Sequence, residues 1–225
     1  MALTDLTTLT NQHVTSVIEI ETLTTSAYLL HMERHGMVFR PGQCLLLGLP
    51  GQKEQREYSI YSATADTRLS VLVKEVDEGT VSRQLRRLDS GAPVTIEGPI
   101  GYFTLEDEDL AGRPLLFVAT GTGIAPFHAM ITSHTALNYR LLHGVRDASE
   151  AYERNAYRPE RYTLCTSREA SGDFHGRVTE FLQDYSIQPG TLCYLCGNVK
   201  MIDDAHAILE QQGLSPDDIR AEVYF

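Results

Sequence analysis

Up to about residue 105 the apolar and polar positions change over in short runs. HVTSVIEI, SAYLLHM, QCLLLGL, REYSIYS, LSVLVKEV, PVTIEG and GYFTL each have the length and patterning of a β-strand. RPGQ, LPGQ, DSGAP and EGPIG supply the turns between them. One helix interrupts the series, VSRQLRRL, with Val81, Leu85 and Leu88 on a common face. This grammar predicts an antiparallel barrel or sandwich. After the acidic connector LEDEDLAGRP the pattern changes. LLFVA is short and wholly apolar, as in a parallel strand buried on both faces. A helix over 124–134, the strand YRLLHGV, a helical stretch near 148–157 and the strand RYTLCTS follow. The helix GRVTEFLQDY, the strand TLCYLCG, the helix VKMIDDAHAILEQQ and the segment IRAEVYF complete the chain. Strand alternating with helix predicts a doubly wound parallel sheet. The pattern thus divides the chain into a β domain over 1–108 and an α/β domain over 109–225.

Composition narrows the function classes. The 225 residues suit two small domains, and a 42% hydrophobic fraction allows each a core. No run has the length of a membrane span. The start, MALTDLTTLTNQ, lacks the basic and apolar regions of a secretory signal, so a cytoplasmic protein is expected. The net charge of −11 argues against a general nucleic-acid binder, which needs clustered Lys and Arg. Cys193 and Cys196 form a CxxC, but on a strand positions i and i+3 point to opposite faces, which disfavours redox pairing and zinc binding. With Cys44 and Cys165 the cysteines are scattered, without an iron–sulfur cluster pattern. His31 and His35 fall on strand and turn with no acidic partner at ligand spacing, and are expected at the surface or in a turn rather than on a metal. His128, His134 and His206 fall on predicted helices with structural or solvent roles. Ser59 has no evident His/Asp relay for hydrolysis.

The remaining motifs bear on anionic ligands. In LLFVATGTGIAPF a glycine-rich turn directly follows a strand. Gly121 and Gly123 permit a sharp turn and close backbone approach, and Pro126 suits the first turn of the next helix. The motif fits either a phosphate site at a helix N-terminus or a tight turn without a ligand. Arg146 and Arg168 follow strands, at the sheet edge where such folds bind ligands, and Arg177 opens a helix. Ser167, Arg168 and Arg177 suit a terminal monophosphate, and so NADP(H) over NAD(H); the other reading is a set of solvated arginines. In REYSIYS, Arg56 suits a pyrophosphate, Tyr58 offers a flat ring and Ser59 a hydroxyl. Strict alternation puts Ser59 opposite Arg56 and Tyr58, unless a twist or bulge turns it to them. Gly79, Thr80, Val81 and Ser82 open the basic helix, as a second phosphate turn or as a plain start capped by Thr80 or Ser82.

Taken in order, these motifs resemble the ferredoxin–NADP(H) reductase family, in particular its compact bacterial members. RxYSxxS (Arg56, Tyr58, Ser59, Ser62) is similar to its FAD motif, GTVS to its flavin pyrophosphate turn and GTGIAPF to its NADP pyrophosphate turn. SRE with Arg146 and Arg177 resembles its 2′-phosphate set, LCGNVKM its CGNxxM segment, and AEVYF its bacterial ending. Val199 stands where many relatives have Pro. The resemblance implies an antiparallel Greek-key β-barrel with one helix that binds FAD, followed by the NADP-binding α/β domain. It implies FAD contacts from Arg56, Tyr58, Ser59, Val73, Gly79, Thr80, Val81, Ser82, Tyr224 and Phe225. For NADP it implies Gly121, Thr122, Gly123, Arg146, Ser167, Arg168, Arg177, Cys196 and Gly197. Tyr58 and Tyr224 would cover the two flavin faces, the nicotinamide displacing Tyr224; Ser59, Cys196 and Glu222 would stand near the reacting atoms. The implied reaction is hydride transfer between nicotinamide and flavin N5, serving a one-electron carrier such as ferredoxin or flavodoxin. Arg83, Arg86 and Arg87 are the candidate docking patch for that carrier, the other reading being a solvated helix face, and a monomer is expected. The other classes are an NAD(P)H:flavin oxidoreductase with diffusible flavin, a reductase component of an oxygenase system, and a nucleotide sensor without turnover.

Overall fold

A computed structural model of the chain describes residues 12–76 and 79–224. Its first half is a six-stranded antiparallel sheet of β1 (Gln12–Thr22), β2 (Ala27–Glu33), β3 (Cys44–Gly48), β4 (Gln55–Ser59), β5 (Arg68–Lys74) and β6 (Pro93–Ile100). Helix α1 (Thr80–Arg86) lies between β5 and β6 in sequence. The strand order β4-β3-β6-β1-β2-β5 is a Greek-key arrangement. Its two ends meet at a single bridge, Ile60 to Val71, backed by the Tyr61 N–H on the Ser70 carbonyl at 2.7 Å. The seam closes just beyond Ser59, so β4 is paired with β3 on one side, and the bridge ties the chain to β5 only past its carboxyl end.

The second half is a six-stranded parallel sheet ordered β10-β9-β8-β7-β11-β12. A four-residue helix, α2 (Asp107–Leu110), leads into β7 (Leu115–Thr120), a 3-10 turn over 121–124 and α3 (Ala125–Ser133). Then come β8 (Tyr139–Val145), β9 (Tyr162–Thr166), β10 (Phe174–His175) and α4 (Val178–Gln183). β11 (Leu192–Asn198), α5 (Val199–Gln211) and β12 (Ile219–Tyr224) close the chain. The expected domain division, between 108 and 109, falls inside α2.

Strand alternation sorts side chains into three cores. Tyr28, Leu30, Met32, Leu69, Val71 and Val73 point into the barrel. The intervening Ala27, Leu29 and Leu72 point outward into a core shared with Phe103, Phe117, Phe127 and Tyr194. The barrel thus packs its outer face against one face of the parallel sheet, and a single apolar cluster holds the halves together. The opposite sheet face packs against α4 and α5 through Val178, Leu182, Met201, Ile202 and Ala205. Cys196 belongs to the first of these sheet faces and Cys193 to the second, and all four cysteines are free and buried.

A polar junction reinforces this apolar one. Asp109 of α2 is 2% exposed at its side chain. Its Oδ2 accepts from the Glu106 N–H at 2.9 Å, from Arg220 Nη1 at 3.1 Å and from the Tyr194 hydroxyl at 3.3 Å. The Tyr194 hydroxyl also reaches the Thr104 carbonyl at 3.0 Å. One carboxylate thereby ties the connector to β11 and β12.

Several sequence expectations need correction. GYFTL forms no strand; β6 runs on to Ile100 and the chain then leaves the sheet. The stretch near 148–157 is not an α-helix but short 3-10 turns at 148–150 and 154–156, with Glu153 in left-handed backbone between them. Here Tyr152 and Tyr157 are anchored individually in the shared core, which overrides helical spacing. His31 is 7% exposed rather than a surface residue, with Nδ1 2.7 Å from the Ser70 hydroxyl. Neither Thr80 nor Ser82 caps α1: its N-cap is Gly79, without a side-chain cap.

Candidate functional site

A cleft of about 1210 Å³ runs between the two halves, more room than one drug-sized ligand needs. The barrel contributes β4 from Gln55 to Ser59, Cys44 of β3, Leu72 and Lys74 of β5, and Gly79, Val81 and Ser82 at the start of α1. The parallel sheet contributes its carboxyl edge: Thr120 at the end of β7 with Gly121 and Thr122 after it, Arg146 after β8, Ser167 and Arg168 after β9. Arg177, Gly197, Asn198, Glu222 and Tyr224 complete that side. This is the crevice beside a topological switch: the chain leaves β7 for β8 and β9 on one side, then crosses to β11 on the other.

The turn after β7 and the end of β11 are fitted to each other by glycine. A Cβ on Gly123 would stand 2.4 Å from the Cys196 carbonyl oxygen. A Cβ on Gly197, at φ +135°, would stand 2.2 Å from Thr120 Oγ1. With no side chain at either position the two backbones touch, and the Asn198 N–H donates to Thr120 Oγ1 at 3.1 Å. Asn198 then caps α5, its Oδ1 accepting from the Lys200 N–H at 3.1 Å.

Where the halves meet, Ser59 of the barrel joins Glu222 and Tyr224 of β12 in one hydrogen-bonded chain. The Tyr224 hydroxyl donates to Ser59 Oγ at 2.5 Å, and Ser59 Oγ donates to Glu222 Oε1 at 3.0 Å. Ser59 is buried, and the pairing of β4 with β3 sets it opposite Cys44. Burial raises the Glu222 carboxyl above the ordinary range; the Ser59 bond pulls it down and the Glu57 charge adds to the rise. Burial likewise holds Tyr224 and Cys196 well up and pushes Cys44 to about 12, so both sulfurs are neutral thiols rather than thiolate nucleophiles. Tyr58 is pushed up to about 12, also by burial.

The far end of the cleft is electropositive. The Ser167 N–H donates to the Val145 carbonyl and the Arg168 N–H to the Arg146 carbonyl, both at 3.0 Å, which sets the two strand ends side by side. Arg146, Ser167, Arg168 and Arg177 are exposed, and among the described residues the guanidinium groups of the three arginines carry no partner. Two acids, Asp147 and Glu169, stand near this set; the second is spoken for, its Oε1 accepting from the Ala148 N–H and from the Ser171 hydroxyl, each at 2.5 Å. Arg56 pairs with Glu54 at 2.7 Å on the surface, a bond of little strength that an anionic ligand can replace.

The cleft therefore gathers Arg56, Tyr58, Ser59, Gly79, Val81, Ser82, Gly121, Thr122, Arg146, Ser167, Arg168, Arg177, Gly197, Glu222 and Tyr224. Val73 is not on its wall, because strand alternation turns it into the barrel core while Leu72 and Lys74 face out. Thr80 is exposed off the cleft, and Gly123 and Cys196 lie buried behind its wall. Phe225 lies outside the described residues. Of the arginine patch, Arg86 is committed within the fold: Nη1 bonds the Thr25 carbonyl at 3.0 Å and Glu75 at 3.3 Å, and the guanidinium lies 5.5 Å from the Tyr28 ring centre. Arg83 and Arg87 are exposed. Cys44, Lys74 and Glu150 are cleft residues that sequence reasoning missed. Lys74 and Glu150 pair across the cleft at 3.4 Å, a contact with no local sequence signal.

Comparison with known proteins agrees with this architecture. Residues 12–105 match the model of the oxidoreductase FAD-binding domain, and residues 117–207 that of the oxidoreductase NAD-binding domain. Ferredoxin–NADP reductase B of Sorangium cellulosum is 33% identical over 189 residues, covering 73% of this chain and 76% of that protein. The toluate 1,2-dioxygenase electron transfer component of Pseudomonas putida is 30% identical over 194 residues. That alignment covers 80% of this chain but 57% of the dioxygenase component. A crystal structure of a ferredoxin NADP+ reductase from Neisseria gonorrhoeae has the same fold, with a TM-score of 0.83 at 22% identity over 95% of this chain and 99% of that one. An FAD-binding barrel joined to an NAD-binding parallel sheet, with a ferredoxin–NADP reductase similar over most of its length, makes this chain a member of the ferredoxin–NADP(H) reductase family of flavoprotein oxidoreductases.

Proposed function

We propose that the chain oxidises NADPH and passes the electrons to ferredoxin or flavodoxin, with FAD held between its two halves. The observation that carries the reading is the continuity of one cleft from Tyr58, Ser59 and Tyr224 to Arg146, Ser167, Arg168 and Arg177. A flat aromatic end and a phosphate-binding end suit a flavin and a dinucleotide meeting between them. Bound there, FAD supplies the exchange between a hydride and single electrons.

The chain's own residues have distinct tasks in this reading. Arg56 binds the flavin phosphates by exchanging its surface bond to Glu54, and the bare N-terminus of α1 at Gly79 lets backbone approach them. Tyr58 and Tyr224 flank the ring. Glu222, with its raised affinity for a proton, would hold one at Oε1 and pass it to Ser59 Oγ as the Ser59 hydroxyl gives its own hydrogen to the flavin bound beside it. Arg146, Ser167, Arg168 and Arg177 hold the 2′-phosphate. Cys196, behind the wall, shapes the nicotinamide pocket without presenting a charge.

The absorption spectrum tests the reading. Purified protein is expected to be yellow, to keep its flavin through desalting, and to bleach faster with NADPH than with NADH. Colourless protein would favour diffusible flavin; a spectrum unmoved by either nucleotide would favour a sensor. Arg168→Ala is expected to raise the NADPH KM about ten- to a hundredfold with little change for NADH, the loss of one charged hydrogen-bonding group. Equal changes for both nucleotides would remove the 2′-phosphate assignment.

The docking patch is redrawn as Arg83 and Arg87, since Arg86 is committed within the fold. Reversing both to Glu is expected to slow ferredoxin reduction about tenfold at low salt while sparing ferricyanide, because steering acts on association with a charged protein. Equal slowing with both acceptors would count against docking there. Similarity to the toluate dioxygenase component supports a second reading, a reductase serving an oxygenase. Among the described residues no group of His, Cys, Asp and Glu side chains that could hold a metal ion forms.

A further inference from the structure

His143 takes no part in the tasks assigned above, yet it is wholly buried in β8 and bonded at both ring nitrogens. Its Nε2 lies 2.9 Å from the Gly121 carbonyl oxygen and its Nδ1 lies 2.9 Å from the Tyr162 hydroxyl. A carbonyl only accepts, so Nε2 carries the hydrogen. In the neutral ring Nδ1 is then an acceptor, and Tyr162 donates to it. Burial drives the imidazole down to about 4, with the Gly121 bond and the Glu150 charge opposing, so the ring is neutral near pH 7. Tyr162 is itself held, stacked on Tyr157 with ring centres 5.3 Å apart and planes within 2°.

The consequence lies in the next peptide. Gly121 has φ +53°, in the left-handed region that favours glycine, and opens the 3-10 turn over 121–124. The Gly121–Thr122 bond is trans, so its C=O and N–H point in opposite directions. Holding the Gly121 carbonyl inward, on His143, directs the Thr122 N–H outward. Thr122 lines the cleft, and an N–H in the first turn of a helix has no partner within the helix. His143 does not line the cleft; its neighbours Gly144 and Val145 do.

We propose that His143 is a positioning residue that anchors the Gly121 carbonyl so that the Thr122 N–H faces the phosphates of the bound dinucleotide. The proposal rests on the reading of the cleft as a dinucleotide site. It makes a distinctive demand: the pyrophosphate is common to NADPH and NADH, so both must be affected alike.

The test is steady-state ferricyanide reduction by the flavin-loaded protein with each nucleotide. His143→Phe is expected to raise both KM values by the same factor, about tenfold, the equivalent of one well-placed hydrogen bond, with kcat and flavin content within about twofold. His143→Gln, which retains an N–H donor, is expected to recover part of the loss. Tyr162→Phe, which frees the ring tautomer, is expected to raise both KM values about two- to threefold. Unchanged KM values, a fall in kcat alone, or an effect confined to NADPH would overturn the proposal. Should His143→Phe fail to fold, the Gln and Phe variants at 143 and 162 decide in the same way. Thr122→Glu separates the two levels, since a carboxylate on the turn must repel any phosphate there. If it leaves both KM values unchanged, the cleft reading fails; if it raises them while the His143 and Tyr162 variants do not, only the positioning role fails.

Discussion

Tyr224→Ser is expected to bind NADP+ about ten- to a hundredfold more tightly than the native protein, and to turn over more slowly. Tyr224 is held by the 2.5 Å bond to Ser59 and by its burial against the shared core. In the proposed reaction the nicotinamide takes the place of this ring. Displacing it costs about 1 kcal/mol for the hydrogen bond and, because the ring is only partly buried, about 0.5–2 kcal/mol for exposing it. Serine removes most of that cost, and each 1.4 kcal/mol is a factor of ten in affinity. The gain persists after reaction, so release of the oxidised nucleotide becomes slower. Spectral titration with NADP+ and measurement of kcat check both parts. Unchanged or weaker binding would show that Tyr224 does not occupy the nicotinamide position. Tyr224→Phe isolates the hydroxyl and is expected to give about tenfold or less.

Asp109→Ala is expected to lower the stability to urea by about 3–5 kcal/mol, the size of effect seen when one partner of a buried ion pair is removed. The truncation leaves Arg220 without its carboxylate and the Tyr194 hydroxyl with the Thr104 carbonyl alone. It also removes the N3 side of the capping box on α2, the bond from the Glu106 N–H. Asp109→Asn keeps one acceptor oxygen and should lose less. A loss below about 1 kcal/mol for Ala would mean that the apolar core alone holds the halves together.

The architecture was legible because it depends on local period. Short runs punctuated by Gly and Pro gave the barrel, and LLFVA followed by GTGIAPF gave the opening of the parallel sheet. The opposite facing of Cys193 and Cys196 followed from strand geometry alone, and the two sheet faces bear it out. Local period failed where single side chains are anchored from afar. The turns of 148–157 follow Tyr152 and Tyr157 into the core, and His31 is drawn inside by Ser70. Much of the candidate site is beyond local reading for the same reason. Ser59 and Tyr224 touch across 165 positions, and Lys74 meets Glu150 across 76. Arg86 looked like a free surface cation because its helix is basic, whereas the Thr24 and Thr25 carbonyls that hold it lie 62 and 61 residues away. Asn198 left a usable trace, a capping residue immediately before a helical run.

The barrel seam has a consequence for the life of the protein before it meets its cofactor. The bridge from Ile60 to Val71 lies beyond the end of β4, so from Gln55 to Ser59 the strand pairs with β3 alone and turns its other edge toward the cleft. A strand edge with unpaired backbone is a template for pairing with another chain, which many proteins blunt with proline, lysine or a covering loop. Here the segment is QREYS, with a charged pair at its outer end and a partly buried aromatic within it. A flavin lying along that edge would serve as its cover. The prosthetic group would then shield the folded chain from self-association along that edge as well as equip it for redox chemistry.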